Sequence, residues 1–198
     1  FAMPHALENI SGPVRFDSRA IRLDELTAQL GGGPVRFGGS IDMEGYQPRR
    51  VDIQMAGENM RLRFPEGMRS LVDADLTVQG PVEGPTLAGT VLVRNAVYTQ
   101  AIGSGGSMFD LTGSTTTQGG GGGGPATTLP LNYDVRITAP STLGVENNQV
   151  RVTATADLQL RGTFDRPLLF GSAEIDRGEV TLEGRRYTIN REIGRAHV

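Results

Sequence analysis

The sequence predicts an all-β fold: an elongated, curved, open-groove sheet of roughly 14 strands with a mobile glycine-rich loop. Three observations predict it. Residues 150–161 alternate apolar and polar side chains, the same pattern occurs 82 residues earlier (Ala74 aligns with Ala156), and no segment shows a convincing helical period. A compact sandwich is the alternative, but sandwich strands are usually shorter and more evenly spaced.

The long alternating segment is the clearest predicted element. Its apolar residues are Val152, Ala154, Ala156, Leu158 and Leu160, and the residues between them are polar or charged. A period of two is typical of a strand with one apolar face and one polar face. At about 3.3 Å per residue, the run from Arg151 to Arg161 would span roughly 36 Å, which is long for a strand.

Shorter alternating runs follow this strand. They place Ile175, Val180 and Leu182 on apolar positions, with predicted breaks at Gly178 and Gly184. One long strand followed by a meander of shorter strands is the unit that the chain repeats.

The repeat has a definite internal spacing, A-D-L-x-[VL]-x-G-x-x-x-x-P-x-L-x-G. Glycine ends a strand, proline begins the next one because it cannot donate to a ladder, and the second glycine allows a bulge or a close approach. A generic β-meander with ordinary turn residues is the alternative interpretation. The motif residues that we assign a structural role are Gly80, Pro85, Leu87 and Gly89 in the first copy, and Gly162, Pro167, Leu169 and Gly171 in the second.

The remaining elements are strands separated by turn residues. Turns are predicted at Gly45, at Gly57-Glu58-Asn59, at Pro65-Glu66-Gly67 and at Pro140-Ser141. Glycine, serine and threonine dominate residues 102–128, and such a composition predicts disorder. The resulting division is a β-meander at 1–70, a first repeat module at 71–101, the loop at 102–128, a second module at 129–191 and a tail at 192–198.

Composition excludes several classes of function. A formal net charge of −3 and the lack of a Lys/Arg run argue against nucleic-acid binding. No cysteine is present, and the two histidines lie near opposite ends, so we predict no catalytic residues, no metal site and no cofactor. Carboxylates at outward strand positions are interpreted as a solvated face: Asp75, Asp134, Asp157, Glu174 and Glu179.

The apolar face has two interpretations. It is either an ordinary core or a concave surface that accepts acyl chains. Burial stabilises by about 0.8 kcal/mol per CH₂, so some fifteen methylenes would contribute around 12 kcal/mol before ordering costs. The candidate groove residues are Val72, Ala74, Leu76, Val78, Val135, Ile137, Val152, Ala154, Ala156, Leu158, Leu160, Ile175, Val180 and Leu182.

The two motif copies, followed by Ile175-x-x-Gly178-x-Val180 and Gly184-x-x-Tyr187-x-Ile189, resemble the C-terminal region of the TamB family of AsmA-like envelope proteins. The resemblance implies a long curled sheet in the periplasm, inner-membrane anchoring through a segment outside this chain, and phospholipid transfer toward the outer membrane. It also implies support of outer-membrane protein assembly or secretion with an Omp85-type barrel partner, which the last strand could bind by β-augmentation. No catalytic residue carries over.

The end of the chain departs from this family pattern. After Asn190-Arg191 the pattern would continue with glycine and another strand, whereas residues 192–198 resemble a translated sequencing-library adapter, so we expect them to be non-native. The alternative function is a surface-exposed β-solenoid, an adhesin or autotransporter passenger with a closed core. An enzyme on a β-scaffold is disfavoured because the sequence lacks a catalytic constellation.

Overall fold

A computed structural model describes residues 6–63, 67–99, 131–147, 149–182 and 185–190, and only the backbone of Leu182 and Asn190. These residues form eleven strands and no helix. The strands are β1 Leu7–Ser11, β2 Val14–Phe16, β3 Ala20–Leu30, β4 Gly33–Glu44, β5 Gln47–Leu62, β6 Met68–Pro81, β7 Thr86–Tyr98, β8 Asn132–Glu146, β9 Val150–Thr163, β10 Arg166–Leu182 and β11 Arg185–Asn190.

All strands belong to one open sheet in the order β1-β3-β4-β5-β6-β7-β8-β9-β10-β11, and β2 pairs with β3 beside β1. Neighbours are antiparallel except β7 and β8, which are parallel. The predicted all-β class and open sheet are therefore confirmed. The closed β-solenoid alternative is wrong, because the sheet does not close on itself.

The register aligns the apolar positions of successive strands on one face. Because side chains alternate along a strand, each cross-strand pair places its two side chains on the same side. One row, from β3 to β10, shows this: Ala28, Val35, Gly57, Ala74, Val91, Ile137, Leu158 and Gly171. We call the surface built from this row and the apolar rows beside it the apolar face.

The apolar face buries side chains although no described strand forms a second layer over it. Val35 is 0% exposed and Met60 is 2% exposed, and they cluster with Val72 and Ala74. Gly57 makes this packing possible, because a Cβ there would collide with the Met60 sulfur. The Met60 side chain therefore fills the space over Gly57, between Val35 and Ala74.

The sheet also bends near the β3–β4 turn. Cα atoms of β3 and β5 come within 8 Å of each other although β4 lies between them, whereas a flat sheet would separate them by roughly 9.6 Å. The Arg61 N–H donates to the Gly31 carbonyl at 3.3 Å and joins β5 to this turn.

Eleven strands replace the predicted fourteen, because the chain passes through three predicted interruptions. Three predictions are wrong: the turn at Gly57-Glu58-Asn59, the turn at Pro140-Ser141 and the break at Gly178. The strands β5, β8 and β10 continue through these positions. Irregular pairing at the first two sites accommodates the extra residues as bulges, with Asn59 and Ser141 each at φ 52°. The predicted turn at Gly45 does separate β4 from β5.

Several predictions fall outside the described residues. These are the loop at 102–128, the tail at 192–198, the break at Gly184, and the Pro65-Glu66 part of one turn. The boundary between 70 and 71 lies inside β6. The division into modules stays a prediction.

Candidate functional site: an open apolar face

All the described candidate groove residues lie on the apolar face. Six of them are buried: Val72, Ala74, Val135, Val152, Ala154 and Ala156. Six more are half-buried: Leu76, Val78, Ile137, Leu158, Leu160 and Val180. Ile175 is 46% exposed, and Leu182 ends β10. Exposure thus rises from the middle of the sheet toward β10.

The prediction omitted much of the same face. Residues from β3 to β5 continue it, and further members come from β7 and β8. The period-two alternation that identified the other strands could also have identified these: Ala28, Leu30, Val35, Phe37, Met55, Met60, Tyr98, Ala139 and Val145. The apolar face is therefore wider than the predicted groove.

The repeat motif places equivalent residues at equivalent positions in the ladder. Leu76 pairs with Gly89 as Leu158 pairs with Gly171. Both glycines have positive φ, +134° and +129°, and a Cβ at either would collide with a backbone carbonyl of the preceding strand. Only glycine fits this close approach without strain, which explains its place in the motif.

The repeated unit contains three strands. β5 pairs with β6 in the register in which β8 pairs with β9: Gly57 opposes Ala74, and Ala139 opposes Ala156. A bulge follows in each copy, at Asn59 and at Ser141, and the bulge is one residue longer in β8. The sequence motif alone covered only the second and third strands of this unit.

The other motif residues lie at the ends of these strands. Gly80 and Gly162 lie near the ends of β6 and β9. Pro85 precedes β7 and accepts a hydrogen bond from the Asn132 N–H at 2.9 Å, whereas Pro167 lies within β10 opposite Gly162. The two remaining positions are paired alike, Leu87 with Val78 and Leu169 with Leu160.

The opposite face is polar and carries cross-strand ion pairs. Arg136 donates two hydrogen bonds to Asp157, at 3.0 and 2.6 Å, and Gln159 donates to Asp134 at 2.6 Å. The hydrogen bond from Arg136 and its positive charge lower the pKa of Asp157, against a smaller effect of desolvation. All five carboxylates that were predicted to face solvent are exposed.

A second polar cluster lies at the first bulge. The Asn59 backbone N–H donates to Asp73 at 2.8 Å, and Arg94 donates to the other carboxylate oxygen. These bonds lower the pKa of Asp73, the Asn59 bond contributing most, while desolvation opposes the shift. In the second copy Thr155 replaces Asp73, and the Ser141 hydroxyl and the Thr155 hydroxyl donate to Asp176 at 2.9 and 2.8 Å.

Neither face presents a cluster of metal-binding side chains among the residues that the structure describes. Among the described residues there is no group of three or more His, Asp and Glu side chains that could hold a metal ion. Burial raises the pKa of Tyr133, on the apolar face. No described helix has the length and hydrophobicity needed to cross a bilayer. What the site offers is an apolar surface with a solvated reverse side.

Comparison with known proteins gives one match. The family model of the TamB C-terminal domain matches residues 24–192, whereas no curated protein and no solved structure matches the chain. TamB proteins belong to the cell envelope, act with the outer-membrane assembly machinery in general, and are not a family of enzymes. Because the match spans most of the sequence, this chain belongs to the TamB family.

Proposed function

We propose that the apolar face binds phospholipid acyl chains and conducts them between the inner and outer membranes. One observation carries the proposal: aligned apolar rows run continuously across an open sheet, and no second layer of described strands covers them. Burying a chain against such a face is favourable by about 0.8 kcal/mol per CH₂. Binding and release of chains need no catalytic residue.

The geometry suits movement along the sheet. The rows run perpendicular to the strands, so the row from Ala28 to Gly171 crosses eight strands and spans roughly 34 Å at about 4.8 Å per strand. An acyl chain lying across the apolar face would meet apolar side chains of successive strands, and these become more accessible toward β10. An apolar surface that continues from strand to strand supports sliding rather than capture at a single pocket.

Site-specific photocrosslinking in envelope preparations tests this proposal. Photoreactive residues at Leu160 and Ile175 lie on the apolar face, and matched controls at Arg161 and Glu174 lie one residue away on the polar face. We expect lipid adducts from the first pair alone. Adducts from neither pair would show that the face is an ordinary protein core, and equal adducts from both pairs would show unspecific contact with lipid.

We also propose that β11 binds an Omp85-type outer-membrane barrel by β-augmentation, in support of outer-membrane protein assembly or secretion. No described strand lies beyond β11. The Thr181 N–H donates to the carbonyl of Gln149, the residue before β9, so by alternation Val180 and its partner Tyr187 bond to each other. Thr188 then directs its backbone N–H to the open edge, where a partner strand could accept it.

Proline substitution tests the open edge. Thr188→Pro removes an N–H that no described strand accepts, whereas Thr188→Ala keeps it. We expect Thr188→Pro to reduce capture of the barrel partner by roughly tenfold, about 1.4 kcal/mol, and Thr188→Ala to leave it unchanged. Equal capture by both variants would exclude augmentation at this edge.

The corresponding cellular location is the periplasm, with the full-length protein anchored in the inner membrane. The support for this part of the proposal is family membership. Protease protection of the domain in spheroplasts, compared with intact cells, tests it: the domain should be cleaved only after the outer membrane is opened.

A further inference from the structure

The polar face carries a groove that the apolar face does not share. Its volume is about 360 Å³, and its lining includes Arg136, Asp157, Gln159, Phe170 and Ser172. These side chains come from three neighbouring strands, β8, β9 and β10. The groove is open to solvent, and its volume lies at the lower end of the range of about 300–1,000 Å³ that is typical of ligand sites. It is therefore large enough to hold one ring or a short part of a chain.

The strand register determines how the lining side chains are arranged. Arg136 and Phe170 both lie opposite Gln159, so the three residues form one row across the strands. Asp157 and Ser172 lie opposite each other in the next row on the same face. Residues two apart along a strand are separated by roughly 7 Å. The groove thus has an aromatic ring on β10 and hydrogen-bonding groups within a few ångströms of it.

Phe170 is a large aromatic side chain on a mostly polar face. It is 53% exposed, so it contributes little to the core. The equivalent residue of the first three-strand unit is Ala88, which lies opposite Thr77 as Phe170 lies opposite Gln159. The same strand pairing therefore forms with a small side chain at this position. Packing does not account for the ring, whereas a ligand that stacks on it would.

The first unit differs from the second at each position of the row that contains the ring. Gln54 has the place of Arg136, because each lies opposite the equivalent residue of β6 or β9. Asp75 and Thr90 keep the carboxylate and the hydroxyl of the next row. The two units thus share their backbone pairing and one row of side chains, and they differ in the row that builds the groove. The first unit serves as an internal control for the second.

The polar groups of the groove compensate each other's charge and still have capacity for further hydrogen bonds. Arg136 donates to Asp157 at 3.0 and 2.6 Å. A guanidinium has five N–H donors and a carboxylate about four acceptor positions, so both can bond a ligand as well. Gln159 donates one amide N–H to Asp134 at 2.6 Å and keeps its carbonyl oxygen as an acceptor. Balanced charge with spare donors and acceptors suits uncharged hydroxyl groups better than an ion.

We propose that this groove binds an uncharged glycan, with one pyranose ring stacked on Phe170 and its hydroxyl groups bonded to the polar side chains beside the ring. A pyranose presents a face of C–H groups that packs on an aromatic ring, and an edge of hydroxyl groups that donate and accept. Because the groove is open, the neighbouring sugars of a chain can continue into solvent. The proposal does not depend on lipid binding, since the groove lies on the opposite face of the sheet.

Titration with sugars, followed through the backbone amide signals in two-dimensional NMR spectra, tests the proposal. The probes are chitotetraose, whose rings carry acetamido groups, and maltotetraose, whose rings carry hydroxyl groups only. We expect at least one sugar to shift the signals of Gln159 and Phe170 in a saturable manner. The signals of the equivalent residues Thr77 and Ala88 should stay unchanged. Saturable shifts with neither sugar, or equal shifts in both units, would overturn the proposal.

Three variants test the role of the ring. Phe170→Ala should weaken binding by roughly tenfold, because the stacking surface is removed, and Phe170→Tyr should retain it. Leu92→Ala is the matched control and should leave the affinity unchanged, because Leu92 is a partly exposed apolar residue of the polar face on β7, outside the groove.

Unchanged affinity in Phe170→Ala, or an equal loss in Leu92→Ala, would contradict stacking on Phe170. Tighter binding of a phenylalanine-containing tetrapeptide than of either sugar would replace the glycan with a peptide ligand and so overturn the proposal. Each of these outcomes leaves the lipid proposal standing, because lipid adducts on the apolar face are a separate measurement.

Discussion

Asn59 and Ser141 occupy the same place in two three-strand units, each at φ 52° in a bulge, on β5 and β8. Each directs its backbone N–H at a side chain one strand away, Asn59 at Asp73 and Ser141 at Thr155, with distances of 2.8 and 2.9 Å. The acceptors are themselves equivalent residues of the repeat. The unit is therefore repeated down to the geometry of its bulge, although the chemistry of the acceptor changes from a carboxylate to a hydroxyl.

Asn59→Val and Ser141→Val should each lower the free energy of unfolding by about 1–2 kcal/mol, because a β-branched residue is strained at positive φ. Asn59→Gly and Ser141→Gly should change it by less than about 1 kcal/mol, because glycine adopts this backbone freely. Urea unfolding measures all four variants. Equal losses for valine and glycine would show that side-chain bonds, and not the backbone, hold the bulges.

Gly89→Ala and Gly171→Ala should each cost about 2 kcal/mol or more, since the new Cβ is strained at positive φ and meets a backbone carbonyl. Gly38→Ala is the control, because Gly38 lies in a strand without positive φ and its Cβ would have room. We expect the control to change stability by less than about 0.5 kcal/mol. Thermal or urea unfolding compares the three, and a control as damaging as the motif variants would contradict this account of the motif.

Val35→Ala should destabilise the sheet by about 2 kcal/mol, because it removes two buried methyl groups and leaves a cavity. Phe170→Ala removes a larger side chain, but that side chain is 53% exposed on the polar face, so we expect a loss below about 1 kcal/mol. Chemical denaturation tests this ranking. The reverse ranking would mean that the polar face, and not the apolar face, carries the core.

Asp73→Asn should make the free energy of unfolding depend less on pH in the acidic range. The folded-state pKa of Asp73 is lowered, chiefly by the Asn59 N–H and further by Arg94, so its stabilisation is present above the usual value of about 3.9. That stabilisation is lost as pH falls through the lowered folded-state pKa. The variant should therefore be less stable than the natural chain at pH 7, and the difference should shrink as the pH falls below about 3.9.

Arg94→Gln gives the matched comparison for this carboxylate. This substitution leaves the hydrogen bond from the Asn59 N–H to Asp73 in place. The free energy of unfolding should therefore keep more of its pH dependence in Arg94→Gln than in Asp73→Asn. Unfolding titrations at pH values from neutral down to strongly acidic measure both. If the free energy of unfolding of Asp73→Asn differed from that of the natural chain by the same amount at every pH, ionisation of the Asp73 carboxylate would not contribute to stability.

Alternation could be recognised in the sequence because side-chain direction depends only on the adjacent backbone. Val152, Ala154 and Ala156 were assigned to one face on that basis, and all three are buried together. Bulges could not be recognised in the same way. Asn59 and Ser141 are residue types that are common in turns. Whether the chain turns or continues at these positions depends on the neighbouring strand, which supplies Asp73 or Thr155 as the hydrogen-bond acceptor.

By itself, the sequence determined the all-β class, the apolar face, the repeat at 82 residues and the resemblance to the TamB family. Only the tertiary structure decided that β7 and β8 are parallel, that β5, β8 and β10 continue through the predicted interruptions, and that Met60 covers Gly57. The physical reason is the distance along the chain over which each effect acts. Period and turn chemistry act over a few residues, whereas strand order, register and packing depend on which distant segments meet, and those contacts leave no period in the sequence.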